Sequence, residues 1–208
     1  MTARVLAVLL LLASGALRAD EADRIDPAAF DAPRLARAIF AATNRARTQA
    51  GLPAFRAAAA LDDAADTQAR IGAIFRPPSH TNPFPLIATP YDRVRLAGVN
   101  PRYVAENIAL VPIYDAPANA GFYRLRGESV VRLERTGEPL RPHTYAGFAE
   151  AVVAAWMDSP GHRAHLLDPK LRELGCSAAL ASSDTGIAMV FAVQVFCTPH
   201  PNFRLVRR

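Results

Sequence analysis

Between residues 34 and 50 apolar side chains return at helical spacing, with Leu35, Ile39, Phe40 and Ala46 on the repeat and Gly51 and Pro53 closing it. A second helix is predicted over about 58–75, where Leu61, Ala65, Ile71 and Ile74 stand among small residues that let a helix approach a sheet closely. The pattern resumes from Pro90 to Ala97 and stops at Gly98. The most regular run, 144–157, sets Phe148, Val152, Val153 and Trp156 on one face. Strand patterning takes over elsewhere. Tyr103 to Val111 is apolar apart from Glu106 and Asn107. Segments 174–181 and 187–197 flank the turn signal Ser183-Asp184-Thr185-Gly186, which predicts an antiparallel hairpin. Its second strand is almost wholly apolar, with Gln194 the one polar interruption, as befits a central strand. Phe122–Arg126 and Ser129–Leu133 alternate as a peripheral hairpin around Gly127-Glu128.

Helices in that number need both faces of a small sheet. The predicted class is therefore α/β, a three-layer α-β-α sandwich with a small antiparallel sheet between helices. Residues 20–33 read as a polar lead-in whose prolines block regular structure. The segment 77–85 holds four prolines, so it is a rigid loop that presents His80. Trp156 to Leu167 closes one helix and opens another. Ser159 is placed as an N-cap, with Pro160 at the first helical position and His162 on the third residue, where the positive helix end disfavours a protonated imidazole. A plain surface histidine in a capped turn is the simpler alternative. Leu166-Leu167 should pack, and Asp168-Pro169 stops the helix.

Length and composition bound the rest. The 208 residues suit one domain, placed at 34–200 with an insertion at about 112–143. Residues 1–19 read as a signal peptide, with Arg4 before an apolar run from Val5 to Ala13 and small residues at the cleavage site. An uncleaved anchor is the alternative. No later run is long enough to span a bilayer, so a secreted or periplasmic chain with no transmembrane segment is expected, as a monomer. Losing Arg4 and Arg18 with the leader lowers the formal charge from +5 to +3. The remaining arginines are scattered without interleaved aromatics, which argues against a nucleic-acid partner. Cys176 and Cys197 in an exported chain suggest one disulfide, contributing about 3 kcal/mol by loop closure. Two buried free thiols are the alternative.

His80, Glu106 with Asn107, and His162 stand at three element ends. Two histidines and a carboxylate are a known zinc set with one position open, or an acid/base pair oriented by a carboxylate. Their separations are too long to form a motif. The wider arrangement resembles the bacterial, SCP-like branch of the CAP superfamily, which is named for cysteine-rich secretory proteins, antigen 5 and pathogenesis-related proteins. The pieces carrying the likeness are Asn44-Arg45-Ala46-Arg47 with Gly51-Leu52-Pro53, Ser79-His80, Ala105-Glu106-Asn107-Ile108, Trp156 with Ser159-Pro160-Gly161-His162-Arg163, and Val193-Gln194-Val195-Phe196. The resemblance implies a cleft where His80 and His162 hold a divalent metal such as zinc, supported by Glu106, Asn107 and Ser159. Ser159 stands where animal and plant members often have a second glutamate, and Ala105 replaces a glycine. His165 stands where bacterial members often have asparagine, and is either an auxiliary ligand or a solvated side chain.

Two functions compete. One is a binding module for a lipid, sterol or cell-envelope component, favoured by the lack of a convincing nucleophile. The other is a metal-assisted, peptidase-like hydrolase with Glu106 as general base and His80 and His162 as further catalytic candidates. A serine hydrolase on Ser159 and His162 lacks a nucleophile elbow.

Overall fold

Asp31 accepts the Arg34 N–H at 2.9 Å and Pro33 sits in the first turn, so helix α1 opens at Ala32 and runs Ala32–Gln49. The prolines of the lead-in help to start structure instead of blocking it, because proline in a first turn forfeits no hydrogen bond. Pro27–Ala29 likewise forms a 3₁₀ turn capped by Asp26. A two-residue strand absent from the sequence reading, β1 (Arg56–Ala57), precedes α2 (Ala59–Ile74). Then come α3 (Pro90–Leu96), β2 (Pro101–Pro112), β3 (Phe122–Arg124), β4 (Val131–Leu133), α4 (Tyr145–Asp158), α5 (Pro160–Leu166), β5 (Glu173–Ser182) and β6 (Ala188–Pro199). This computed structural model describes residues 23–201 except 76, 118 and 119. The expected leader at 1–19 lies outside the described residues. Among them no helix is long and apolar enough to cross a membrane.

The main sheet has strand order β1-β5-β6-β2, antiparallel except for the parallel β1–β5 pair. β6 is central, as its almost wholly apolar run implied. Its residues alternate between two cores. Val190, Ala192 and Phe196 join α1 and α4 residues such as Ile39, Phe148 and Trp156, while Phe191, Val193 and Val195 join Leu61 and Ala65 of α2 and Val94 of α3. That gives the three-layer sandwich. The small residues of α2 let it sit close to the sheet. A Cβ on Gly175 of β5 would overlap the Leu61 backbone, and one on Gly72 would overlap the Phe191 ring.

The same alternation overturns the expected disulfide. Cys197 stands opposite Glu173 in the β5–β6 register, three residues from Cys176, and an odd offset puts two side chains on opposite faces of a sheet. Cys176 belongs to the α1/α4 core and Cys197 to the α2/α3 core, and both are free, buried thiols. Burial pushes Cys176 well up and Cys197 up to about 12.

The insertion forms the predicted hairpin, β3 against β4, with a wider turn than expected. It leaves the sheet at the Pro112 end of β2. Six residues of strand separate that end from Glu106, about 20 Å. It therefore packs at the far end of the sheet, away from the predicted site.

Candidate functional site

Glu106 and Asn107 are consecutive on β2, the edge strand of the sheet, so the pleat sends them to opposite faces. Glu106 points into the α2/α3 layer and Asn107 into the α1/α4 layer. This single step in the strand divides the site in two.

On the first side, Arg93 of α3 donates from Nη2 to Glu106 Oε2 at 2.6 Å, with side chains 0% and 1% exposed. His80 Nδ1 lies 2.9 Å from the other carboxylate oxygen, Oε1. Arg93 also donates to the carbonyls of His80, Ile87 and Ala88, which straps the proline-rich loop onto α3. Gln68 of α2 donates to the Ser79 carbonyl at 2.7 Å, and Asn82 donates to the Ile87 carbonyl at 2.8 Å. The loop is rigid through these bonds as much as through its prolines. Sequence reasoning missed Arg93. A lone arginine in a short helix carries no signal until the fold sets it beside a carboxylate.

On the second side, Asn107 Nδ2 donates to the His162 carbonyl at 3.3 Å and to Gln194 Oε1 at 3.1 Å. Its Oδ1 lies 2.8 Å from His165 Nδ1. Gln194 Nε2 donates to Thr43 of α1 at 2.5 Å. His165 is thus half-buried and bonded to the sheet, not the solvated side chain that one reading of the sequence allowed. The other polar interruption, Gln194, proves to be part of the same network. Trp156 Nε1 donates to the Ile108 carbonyl at 3.3 Å and so closes the outer edge of β2 next to the site.

The remaining motif residues act as clamps. Asn44 accepts the Phe55 N–H and donates to the Phe55 carbonyl. Buried Arg47 donates to the carbonyls of Pro53, Leu166, Asp168 and Leu171 and lies 3.9 Å over the Phe55 ring. It ties the end of α1 to the end of α5, and thereby sets the helix that carries His162 and His165. Ser159 is the N-cap of α5 by conformation, but its side chain makes no capping bond. The residue also ends α4, its N–H donating to the Trp156 carbonyl.

His162 has its pKa lowered from the usual histidine value, first by burial and then by His80. The direction is the one expected, with burial as its first cause. His165 is lowered too, by burial first and then by His162 and His80, against smaller upward pulls from Asp168 and the Glu106 backbone carbonyl. A cleft of about 490 Å³ opens beside these groups, walled by His80, Glu106, His165, Arg102, Tyr91 and Tyr103. His162 stands next to that wall and not in it.

The whole pattern can now be compared with known proteins. Residues 40–196 match the profile of the Cysteine-rich secretory protein family, CAP. The chain belongs to the CAP family. No curated protein matches it. Among solved structures, an extracellular protein containing an SCP domain from Bacillus anthracis str. Ames superposes with a TM-score of 0.52 at 21% identity, covering 80% of this chain and 41% of that one. An outer surface protein from Borrelia burgdorferi gives 0.51 at 15% identity, covering 79% and 92%. This CAP chain spans less than half the length of the Bacillus protein, and the two likenesses carry the fold. The CAP motif residues, read off this structure, divide into three that face the cleft or its edge (His80, Glu106, His162) and several that brace it (Asn44, Arg47, Asn107, Trp156).

The family's divalent metal can be tested against these donors. Both Glu106 oxygens are engaged, and among the described residues no three His, Cys, Asp or Glu side chains gather closely enough to hold an ion. The donors do not fit a three-ligand zinc centre.

Proposed function

We propose that this CAP domain is an exported binding module whose cleft takes a hydroxyl-rich component of the cell envelope. One observation carries the choice of binding over catalysis. The cleft carboxylate is held by Arg93 on one oxygen and His80 on the other, deep in the wall. A general base must reach its proton with a free lone pair of suitable basicity. Arg93 at 2.6 Å on one oxygen and His80 at 2.9 Å on the other already engage both oxygens of this carboxylate. Glu106 is therefore a poor base and a good brace, and the hydrolase reading weakens with it. The rim favours a polar ligand with flat faces. Tyr91 and Tyr103, 45% and 43% exposed, line the cleft together with Arg102 and Glu106. Exposed aromatic rings give apolar contact area at small entropic cost.

A second reading has its own support. An apolar pocket of about 540 Å³ lies between α4 and the insertion, lined by Val111, Tyr114, Phe122, Phe148, Val152 and Met189. A lipid tail or sterol would find its place there and not in the cleft. Any divalent ion would have His80 and His162 as its protein donors, with Glu106 orienting His80 from behind.

Titration of the mature chain with soluble peptidoglycan fragments and with phosphatidylglycerol vesicles tests the reading. Saturable binding to the fragments that weakens in Tyr103→Ala is expected. Binding to vesicles alone would move the function to the apolar pocket. Zinc titration of wild type, His80→Ala and His162→Ala runs alongside, and equal affinities in all three would remove the metal.

A further inference from the structure

The hydrogen bonds behind His165 run in a fixed direction. They end at the Ile39 carbonyl, which can only accept. Thr43 Oγ1 lies 2.7 Å from it and gives its proton there. With its one proton spent, Thr43 Oγ1 can only accept from Gln194, whose Nε2 donates at 2.5 Å. That orientation turns Gln194 Oε1 towards Asn107, whose Nδ2 donates to it at 3.1 Å. Asn107 Nδ2 also donates to the His162 carbonyl, a second pure acceptor that fixes the amide from another side. Both Asn107 amide hydrogens are thereby committed, and Oδ1 faces His165 Nδ1 at 2.8 Å. An oxygen that can only accept requires a donor opposite, so Nδ1 carries the proton. Thr43, Asn107 and Gln194 are fully buried, and no solvent competes for these bonds.

We infer that His165 is a specificity-determining residue of the cleft: a neutral imidazole locked as the Nδ1–H tautomer, whose Nε2 lone pair accepts a hydrogen bond from a ligand hydroxyl. The role rests on the cleft being the ligand site, as proposed above. The tautomer follows from the hydrogen-bond chain alone. His80 obeys the same logic from the other face of the strand. The Glu106 carboxylate can only accept, so His80 Nδ1 donates to Oε1. The cleft wall thus holds two imidazoles, one positioned by a carboxylate and one by an amide chain. The His165 Nε2 acceptor, with the Arg102, Tyr91 and Tyr103 donors lining the same cleft, matches the hydroxyls of a glycan, which both donate and accept. An unprotonated His165 Nε2 disfavours a carboxylate or phosphate oxygen at that atom. The amide chain is what a solvated His165 would lack, since a free imidazole exchanges its proton between both nitrogens.

The first test needs no ligand. Long-range ¹H–¹⁵N correlation on the ring-labelled mature chain at pH 7.5 should show a pyrrole-type Nδ1 and a pyridine-type Nε2 for His165. A mixed tautomer overturns the assignment, and so does a doubly protonated ring with the Glu106 carbonyl taking the second proton. The second test uses chitohexaose as probe. Saturable binding should shift the His165 Nε2 resonance, and His165→Phe, which keeps ring packing, should weaken binding about three- to tenfold, the worth of one hydrogen bond. Per-O-methylated chitohexaose, which has no hydroxyl to donate, should not distinguish the two proteins. Binding unchanged in His165→Phe overturns the role of His165 alone. No saturable binding by wild type overturns the ligand reading and this role with it, while leaving the measured tautomer intact. Stoichiometric displacement of the Nε2 resonance by zinc, with no effect of chitohexaose, makes the residue a metal ligand and overturns the hydroxyl-acceptor role.

Discussion

Replacing Arg93 by methionine is the sharpest perturbation of the site. The side chain is buried, and its Nη2 contacts a carboxylate that is itself 1% exposed. Breaking a buried ion pair by removing one partner costs about 3–5 kcal/mol, because the other charge stays behind in a poor solvent. Arg93 also donates to three backbone carbonyls, each worth about 0.5–1.5 kcal/mol. The loss should therefore be roughly 4.5–9.5 kcal/mol, a large share of the 5–15 kcal/mol typical of a whole domain. Urea and thermal unfolding followed by circular dichroism would read it. At about 2–4 °C per kcal/mol for a chain of this size, the midpoint should fall by at least about 8 °C. The double variant Arg93→Met with Glu106→Leu leaves no buried charge, so it should recover at least about 2 kcal/mol relative to the single change. Additive effects, or a single-variant loss below about 1 kcal/mol, would show that Arg93 does not hold Glu106. The carboxylate would then be available for chemistry, and the case for a binding module would lose its main support.

Other positions give separate checks. Gly175→Ala should destabilise the chain by about 1–3 kcal/mol or more, since the added carbon meets the Leu61 backbone and not a flexible side-chain end; unchanged unfolding would mean that α2 does not lie against β5 as described. Thiol titration of the native protein should be silent, with both cysteines reacting once it is unfolded, and a mass two hydrogens short would restore the disulfide. Asp62 has its pKa raised by burial, ahead of the opposing bond from the Cys176 N–H. A raised carboxyl favours folding below the unfolded value near 3.9 and loses that contribution as pH rises through the folded value. Asp62→Asn, which can still accept that N–H, should thus be more stable than wild type at pH 7 and equal to it near pH 3; lower stability at pH 7 would refute the sign.

The sequence revealed the layers because hydrophobic periodicity is a local property that burial enforces. The helices at 34–50 and 144–157, the central position of β6 and the polar break at Glu106-Asn107 were all visible this way. The disulfide failed because two cysteines flanking one hairpin suggest proximity, whereas the face each occupies depends on register, which changes with a shift of a single residue. Arg93 was invisible for a related reason. Its partner lies on another element, and nothing in a lone arginine says that its charge will be buried. His165 stood out by its spacing, since residues three apart share a helix face with His162, as either an auxiliary ligand or a solvated side chain. What spacing could not supply was Asn107 beneath it.

The division of labour at Glu106 and Asn107 also explains why an edge strand carries the site. A central strand has neighbours on both sides, so polar side chains there would have to be satisfied wholly within the two cores. At the edge, the strand's outer carbonyls are open, and Trp156 takes one of them at Ile108. Elements can therefore approach β2 from both faces and from the side. The loop bearing His80 comes from the α2/α3 layer and the helix bearing His165 from the α1/α4 layer, and they meet at the strand's rim. Each imidazole is fixed from behind by a residue of that strand. A catalytic site needs one group that gains or gives up a proton during turnover, whereas the buried Glu106, Asn107 and Gln194 side chains here are each held by hydrogen bonds to partners on other elements. That rigidity favours recognition of a fixed pattern of donors, and it makes the His165 tautomer the most direct measurement of what the cleft is built to do.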